Sequence, residues 1–287
     1  MKLVRFGDPG KERPGLVDRQ GRIRDLSAHV SDIARDTLSS SNLSNIAALD
    51  WDSLPLVPTD ERLGPCVGHV GKMICVGLNY SDHAAESNMP VPSEPVLFMK
   101  ATSAIVGPYD AVEIPPGAQK VDWEVELGVV VGRQARYVTR ERALDYVAGY
   151  CIVNDVSERA YQLERGGQWD KGKGCDTFGP LGPWLVTRDE VPDPQALEMW
   201  LEVDSKRYQN GNTKTMIFDV ATLVSSISRF MSLQPGDVIS TGTPPGVGMG
   251  QKPEPVYLRP GQTMRLGIAG LGEQCQRTVD ARIEEAP

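Results

Sequence analysis

Short apolar or alternating runs broken by glycine and proline dominate this chain, and extended helical stripes are scarce. Residues 2–6 and 14–17 read as short strands around the turn-rich Gly7-Asp8-Pro9-Gly10, and a polar, Ser/Asn-rich helical stretch follows near 32–49. A proline-containing link over 54–65 then leads into the rest of the chain. Residues 1–70 are therefore expected to form a small N-terminal α+β domain and residues 71–287 a second, larger one.

From Lys72 onward the period is mostly that of strands. Residues 72–76, 96–99, 123–131 and 146–153 are β-branched or alternating runs, and 81–87 reads as a helical turn. Residues 221–231 carry apolar positions at helical spacing, after which Pro235-Gly236-Asp237 turns into a strand at 238–240. Residues 258–263 and 264–268 suggest a closing hairpin. Helices between strands are too few and too short for a regular alternating array, so a mixed, mainly β fold is expected.

Composition narrows the function classes. With 40% hydrophobic and 24% charged residues over 287 positions, the chain can build a packed core. No apolar run approaches the length that spans a bilayer, and Met1–Asp8 lacks the apolar stretch of a secretory leader. A net charge of −8 argues against nucleic acid or an anionic membrane as partner. A small anionic substrate would have to be drawn by local positive charge, which a metal ion supplies. Five cysteines without CxxC spacing exclude a disulfide framework or zinc ribbon and fit a cytoplasmic protein.

The clearest chemical constellation is Asp122-Trp123-Glu124-Val125-Glu126-Leu127. Residues two apart in a strand share a face, so Glu124 and Glu126 point the same way and repel unless a cation lies between them. A solvated strand face is the plain alternative, but the Val129-Val130-Val131 run that follows looks buried. The apolar strand ending at Asp155 adds a third acid, and three carboxylates suit Mg²⁺ or Mn²⁺ better than zinc. Asp155 could instead cap the helix that follows. His83 and Glu86 lie three apart after Ser81, where a short helix would bring them together near a dipole that keeps His83 neutral. An exposed polar face is the alternative there. Lys171-Gly172-Lys173-Gly174 reads as loop, able to close over an anion. Thr243, in the tight Thr241-Gly242-Thr243-Pro244 turn, offers a hydroxyl; no helix follows Gly246-Val247-Gly248 to receive a pyrophosphate.

Taken in order, these segments resemble the fumarylacetoacetate hydrolase superfamily. Gly77-Leu78-Asn79-Tyr80-Ser81-Asp82-His83-Ala84-Ala85-Glu86 is similar to its His–Glu segment. Pro95 to Lys100, Trp123 to Leu127, Asn154 to Arg159, Gly172-Lys173, Asp176 to Pro183, Gly211 to Thr213 and Thr241 to Pro244 continue the likeness over about residues 70 to 275. The resemblance implies a β-roll core, paired chains (a homodimer), Mg²⁺ or Mn²⁺ on Glu124, Glu126 and Asp155, and water activation by His83 with Glu86. It also implies substrate contacts from Lys173, Arg159, Gln162 and Thr243. Leu78 stands where many relatives have Arg, and Lys171-Gly172-Lys173-Gly174 departs from a common Arg-Gly-Lys-Ser.

The wording is most similar to bacterial hydrolases of 2,4-diketo-3-deoxy-L-rhamnonate or L-fuconate. Hydrolysis of a carbon–carbon bond in such a 2,4-dioxo acid, giving pyruvate and a hydroxy acid, is the activity expected. A lyase of the same fold, acting on oxaloacetate or ureidoglycolate, and a non-catalytic binding relative are the alternatives.

Overall fold

The run Val125–Val131 is buried at every position, although its neighbours are antiparallel. Both of its faces are therefore covered, which explains why it reads as continuous valine rather than as an alternation. Val125, Leu127, Val129 and Val131 join one apolar cluster, and Val130 joins a second on the opposite face. The strand Val147–Asn154 divides in the same way, with Tyr150 and Ile152 on one side and Cys151 and Val153 on the other.

The structure, a computed structural model, describes residues 1–82 and 91–282. The helical turn expected over 81–87, and with it His83 and Glu86, lies outside those residues except for Ser81 and Asp82, which are helical. Among the described residues the two strands above sit inside a ten-stranded sheet. Its order runs Ile23–Asp25, Arg13–Val17, Lys2–Phe6, Gly179–Thr187, Val147–Asn154, Val125–Val131, Val238–Ser240, Met73–Gly77, Val96–Lys100, with Ile105–Val106 beside Gly179–Thr187. A five-stranded sheet comprises Lys206–Asn212, Glu198–Val203, Thr263–Ile268, Gly272–Asp280 and Val112–Ile114. The fold is mixed and mainly β, and neither sheet closes. Residues 1–70 extend the large sheet through pairing of Lys2–Phe6 with Gly179–Thr187, and Leu3, Leu16 and Leu26 share the second cluster with Met73 and Val238.

The longest helix among the described residues, Val220–Phe230, packs against Arg140–Tyr146 and the first apolar cluster. Its N-cap Asp219 accepts from Thr222 N at 2.7 Å, and Val220, Leu223, Val224 and Ile227 bury the i, i+3, i+4, i+7 stripe. Each buried aliphatic side chain contributes roughly 1.5–3 kcal/mol.

Two local expectations are corrected. The closing hairpin joins Thr263–Ile268 to Gly272–Asp280, not to residues 258–263. Pro260-Gly261, with Gly261 at φ +92°, turns the chain just before Thr263, and Leu258 N donates to Val121 O instead of to a hairpin partner. Residues 170–173 form a helical turn rather than loop.

Candidate active site

Strand register assembles the acids. Val153 lies opposite Glu126 and Asn154 opposite Val125, and Asp155 N donates to Glu124 O at 2.9 Å. Asp155 and Glu124 are thus cross-strand neighbours, with Glu126 two positions along on the same face. Oxygen atoms of Glu124, Glu126 and Asp155 all lie within 4.8 Å of one another, and all three residues are buried. On the other side, Ser240 pairs with Gly128, which brings Ser240 Oγ to 2.6 Å and Gly242 N to 2.8 Å from Glu126 Oε2. Gly242 is required there: its φ is +92°, and a Cβ would lie 2.9 Å from that of Asn79.

Three cations face these acids. Lys173 Nζ donates to Glu124 Oε2 at 2.7 Å and to Asp155 Oδ2 at 2.8 Å. Arg159 donates to Glu124 Oε1 at 2.6 Å, to Asp122 Oδ2 at 2.8 Å and to Gln162 Oε1 at 3.1 Å. Lys100 donates to Asp155 Oδ1 at 2.6 Å and to Val156 O at 2.9 Å. Burial alone would raise the Glu124 carboxyl, but Lys173 and Arg159 bring it down to about 2. Burial likewise works against charge on Lys173, yet Asp155 and Glu124 hold its pKa above the ordinary value.

Glu126 differs. Among the described residues no Lys or Arg nitrogen forms an ion pair with it, and burial, then Asp155 and Glu124, push its carboxyl well above the usual range. Among the described residues Asp122, Glu124 and Asp155 are each ion-paired with Arg159, Lys173 or Lys100, and of these four acids Glu126 is the one without such a partner. The donor set is all oxygen: each carboxylate oxygen of Glu124 and Asp155 keeps a second lone pair beyond its hydrogen bond, whereas both bonds accepted by Glu126 from Ser240 and Gly242 fall on Oε2. Such a set fits a hard divalent cation.

Glu124 and Glu126 line a cleft of about 250 Å³ together with Lys173, Arg159, Gln162 and Thr243, and Asp155 lies buried beside them. The residues expected from sequence, other than His83 and Glu86, thus come together. Thr243 enters with its hydroxyl committed, donating to Val125 O at 2.9 Å and accepting from Gln209 Nε2 at 2.8 Å. Asp155 is not a helix cap: Glu158 caps Arg159–Leu163, accepting from Tyr161 N at 2.6 Å. Sequence reading missed Lys100 and Asp122. A lone lysine ending the apolar strand Val96–Lys100 was one signal. The other was Asp122, which heads the acidic run and accepts from Gly248 N at 2.6 Å and Met249 N at 3.0 Å.

A β scaffold that gathers oxygen ligands and their counter-charges on the floor of a small cleft defines an enzyme class built on an acidic centre. Residues 72–279 match the family described as fumarylacetoacetate (FAA) hydrolase, C-terminal, and the chain belongs to the fumarylacetoacetate hydrolase family. A protein of Burkholderia cenocepacia, whose name goes no further than hydrolase, is 67% identical over 98% of this chain and 100% of its own. The structure of a fumarylacetoacetate hydrolase from Exiguobacterium antarcticum is similar at TM-score 0.84 and 39% identity, covering 98% of this chain and 100% of that one. A maleylpyruvate hydrolase from Sphingobium, solved with manganese(II) and pyruvate, is similar at TM-score 0.82 and 30% identity, with 98% and 100% covered. Among the described residues no helix is long and apolar enough to cross a membrane.

Proposed function

We propose that this chain is a divalent-metal-dependent hydrolase that cleaves the C3–C4 bond of a 2,4-dioxo acid. The proposed substrate is 2,4-diketo-3-deoxy-L-fuconate or -L-rhamnonate, and the products are pyruvate and L-lactate. The observation that carries this reading is the buried Glu124–Glu126–Asp155 trio, in which Glu126 has no Lys or Arg ion-pair partner among the described residues, beside a cleft that also holds Lys173. The manganese and pyruvate in the Sphingobium hydrolase support it.

In this reading Glu124, Glu126 and Asp155 hold Mg²⁺ or Mn²⁺. The bound ion supplies Lewis acidity towards the oxygen of a developing enolate. Lys173 presents fixed positive charge to the substrate carboxylate, while Arg159 and Gln162 keep Glu124 oriented from behind. His83 takes a proton from the water that adds to the C4 carbonyl, and Glu86 orients the imidazole, an assignment that rests on the sequence motif. Breaking C3–C4 leaves its electron pair on C3 as the pyruvate enolate, and protonation at C3 completes the products.

The test measures pyruvate released by Mn²⁺-supplemented protein from a panel of 2,4-dioxo acids, with oxaloacetate and ureidoglycolate alongside. His83→Ala should keep Mn²⁺ affinity and lose about 10²–10⁴-fold in dioxo-acid cleavage. Wild-type turnover by that variant would overturn the base assignment, and a panel without any dioxo-acid cleavage would overturn hydrolysis itself.

A further inference from the structure

The cleft is chemically two-sided. Its floor is ionic, whereas its outer wall is made by Leu78, Phe98, Leu163, Trp169 and Met249. All five keep some exposure: Leu163 is 47% and Met249 36% exposed, and Leu78, Phe98 and Trp169 are half-buried. Several large apolar groups left partly bare in one concavity mark a surface completed by apolar ligand atoms.

The wall is also held in place. Trp169 seats against Gly77, where a Cβ would lie 2.6 Å from its Cζ3, and its ring meets Phe98 edge-on with centroids 5.3 Å apart. Leu78 sits at φ +55°, and the neighbouring Asn79 fixes that bend. The Asn79 amide donates to Phe218 O and Thr241 O and accepts from Phe218 N.

Positive charge is confined to the floor. Arg159 and Lys173 are the cations lining the cleft among the described residues, and both already face Glu124. In the hydrolase reading Lys173, with a cation held by the acids, would serve the carboxylate at the head of a dioxo acid. A second carboxylate laid against this wall would give up part of its hydration to hydrocarbon without gaining a cationic partner, which disfavours its binding.

We propose that this cleft selects 2,4-dioxo acids with a short, uncharged acyl tail and rejects those whose tail ends in a second carboxylate. The proposal takes the identity of the substrate head from the hydrolase reading, but tail selection does not depend on which bond is broken. A cleft of about 250 Å³ lies below the usual range for drug-sized ligands and favours a tail of few atoms.

A matched pair of substrates tests this: 2,4-dioxoheptanoate against 2,4-dioxoheptanedioate, which differ only in a terminal methyl or carboxylate. With Mn²⁺-loaded protein, kcat/KM should favour the monoacid by about 100-fold. Leu78→Arg and Leu163→Lys should each narrow that ratio about tenfold or more by improving the diacid. Leu163, exposed at a helix end, keeps the test standing if the left-handed backbone at Leu78 makes its variant fold poorly. Equal or faster cleavage of the diacid by the wild type overturns tail selection and leaves hydrolysis intact. An unchanged ratio in both folded variants overturns the role of this wall. If neither acid is cleaved, hydrolysis fails, and calorimetric binding of the same pair decides the tail: tighter monoacid binding supports the proposal, and equal or tighter diacid binding overturns it.

Discussion

Glu126 is the residue on which the acidic centre turns, because it is the carboxylate left without a cation. Its folded pKa lies above the ordinary 4.5, so the direction of its effect on stability is fixed. Below 4.5 it is protonated in folded and unfolded chains alike, and this contribution to stability is fully present. As pH rises past that point the unfolded chain ionises first, and the contribution is lost until the folded carboxyl ionises too. Without added metal the protein should therefore lose stability from this group as pH is raised towards neutrality, and Mn²⁺ should reverse the trend. Binding of the ion should release a proton, so affinity should climb with pH. Glu126→Gln should flatten the pH dependence, keep the fold and weaken Mn²⁺ binding by about 100-fold, the upper end of what even supporting partners of a ligand contribute. Thermal unfolding from pH 5 to 8 with and without Mn²⁺, together with calorimetry, reads all three effects. Wild-type Mn²⁺ affinity in Glu126→Gln would rule out Glu126 as a ligand. The acid pair was legible in the sequence because the valines after it announce burial. The ion pairs from Lys100 and Arg159 were not, since nothing local says which distant strand end a side chain will meet.

The helical turn Asp170–Lys173 shows where local reading misled. Its glycines suggested a loop, yet Lys173 N donates to Trp169 O at 3.1 Å and the side chain is almost fully enclosed. Gly172 serves packing: a Cβ there would come within 2.3 Å of Glu158 O and 2.6 Å of Gln162 N, so only glycine lets this turn lie against Arg159–Leu163. A surface lysine could be replaced at little cost to the fold, but this one neutralises two buried acids. Lys173→Met should therefore lower stability by about 3–5 kcal/mol, as expected when one partner of a buried ion pair is removed. Saturating Mn²⁺ should restore part of the loss, because it binds the folded acids. Urea unfolding with and without Mn²⁺ checks this, and wild-type stability in both conditions would show that these ion pairs do not support the fold. The strand Gly179–Thr187 was missed for a related reason. Pro180 and Pro183 argue against a central strand; Pro183 falls within a register shift opposite Tyr150 and Ile152, and Pro180 lies beside Val106, placements no residue pattern reveals.

For the whole molecule we propose that two chains pair, as the family resemblance implies. Light scattering behind size exclusion should then give a mass about twice the 31.3 kDa of one chain, and a monomeric mass would refute pairing. The way the cleft floor is stitched together has a consequence for the order of events when the chain folds. The acids and their cations lie within residues 100–173, but Ser240 Oγ and Gly242 N reach Glu126 across 114 and 116 residues, so that fragment alone leaves Glu126 without its partners. Contacts this distant in sequence form only after the intervening loops have closed, and they dominate the time a chain needs to fold. The partners that fix Glu126 thus arrive only when the strand Val238–Ser240 docks beside Val125–Val131. In a refolding experiment, Mn²⁺ binding should develop with the slowest phase of native structure and never ahead of it, so that a nascent chain cannot scavenge the ion before its own fold is complete.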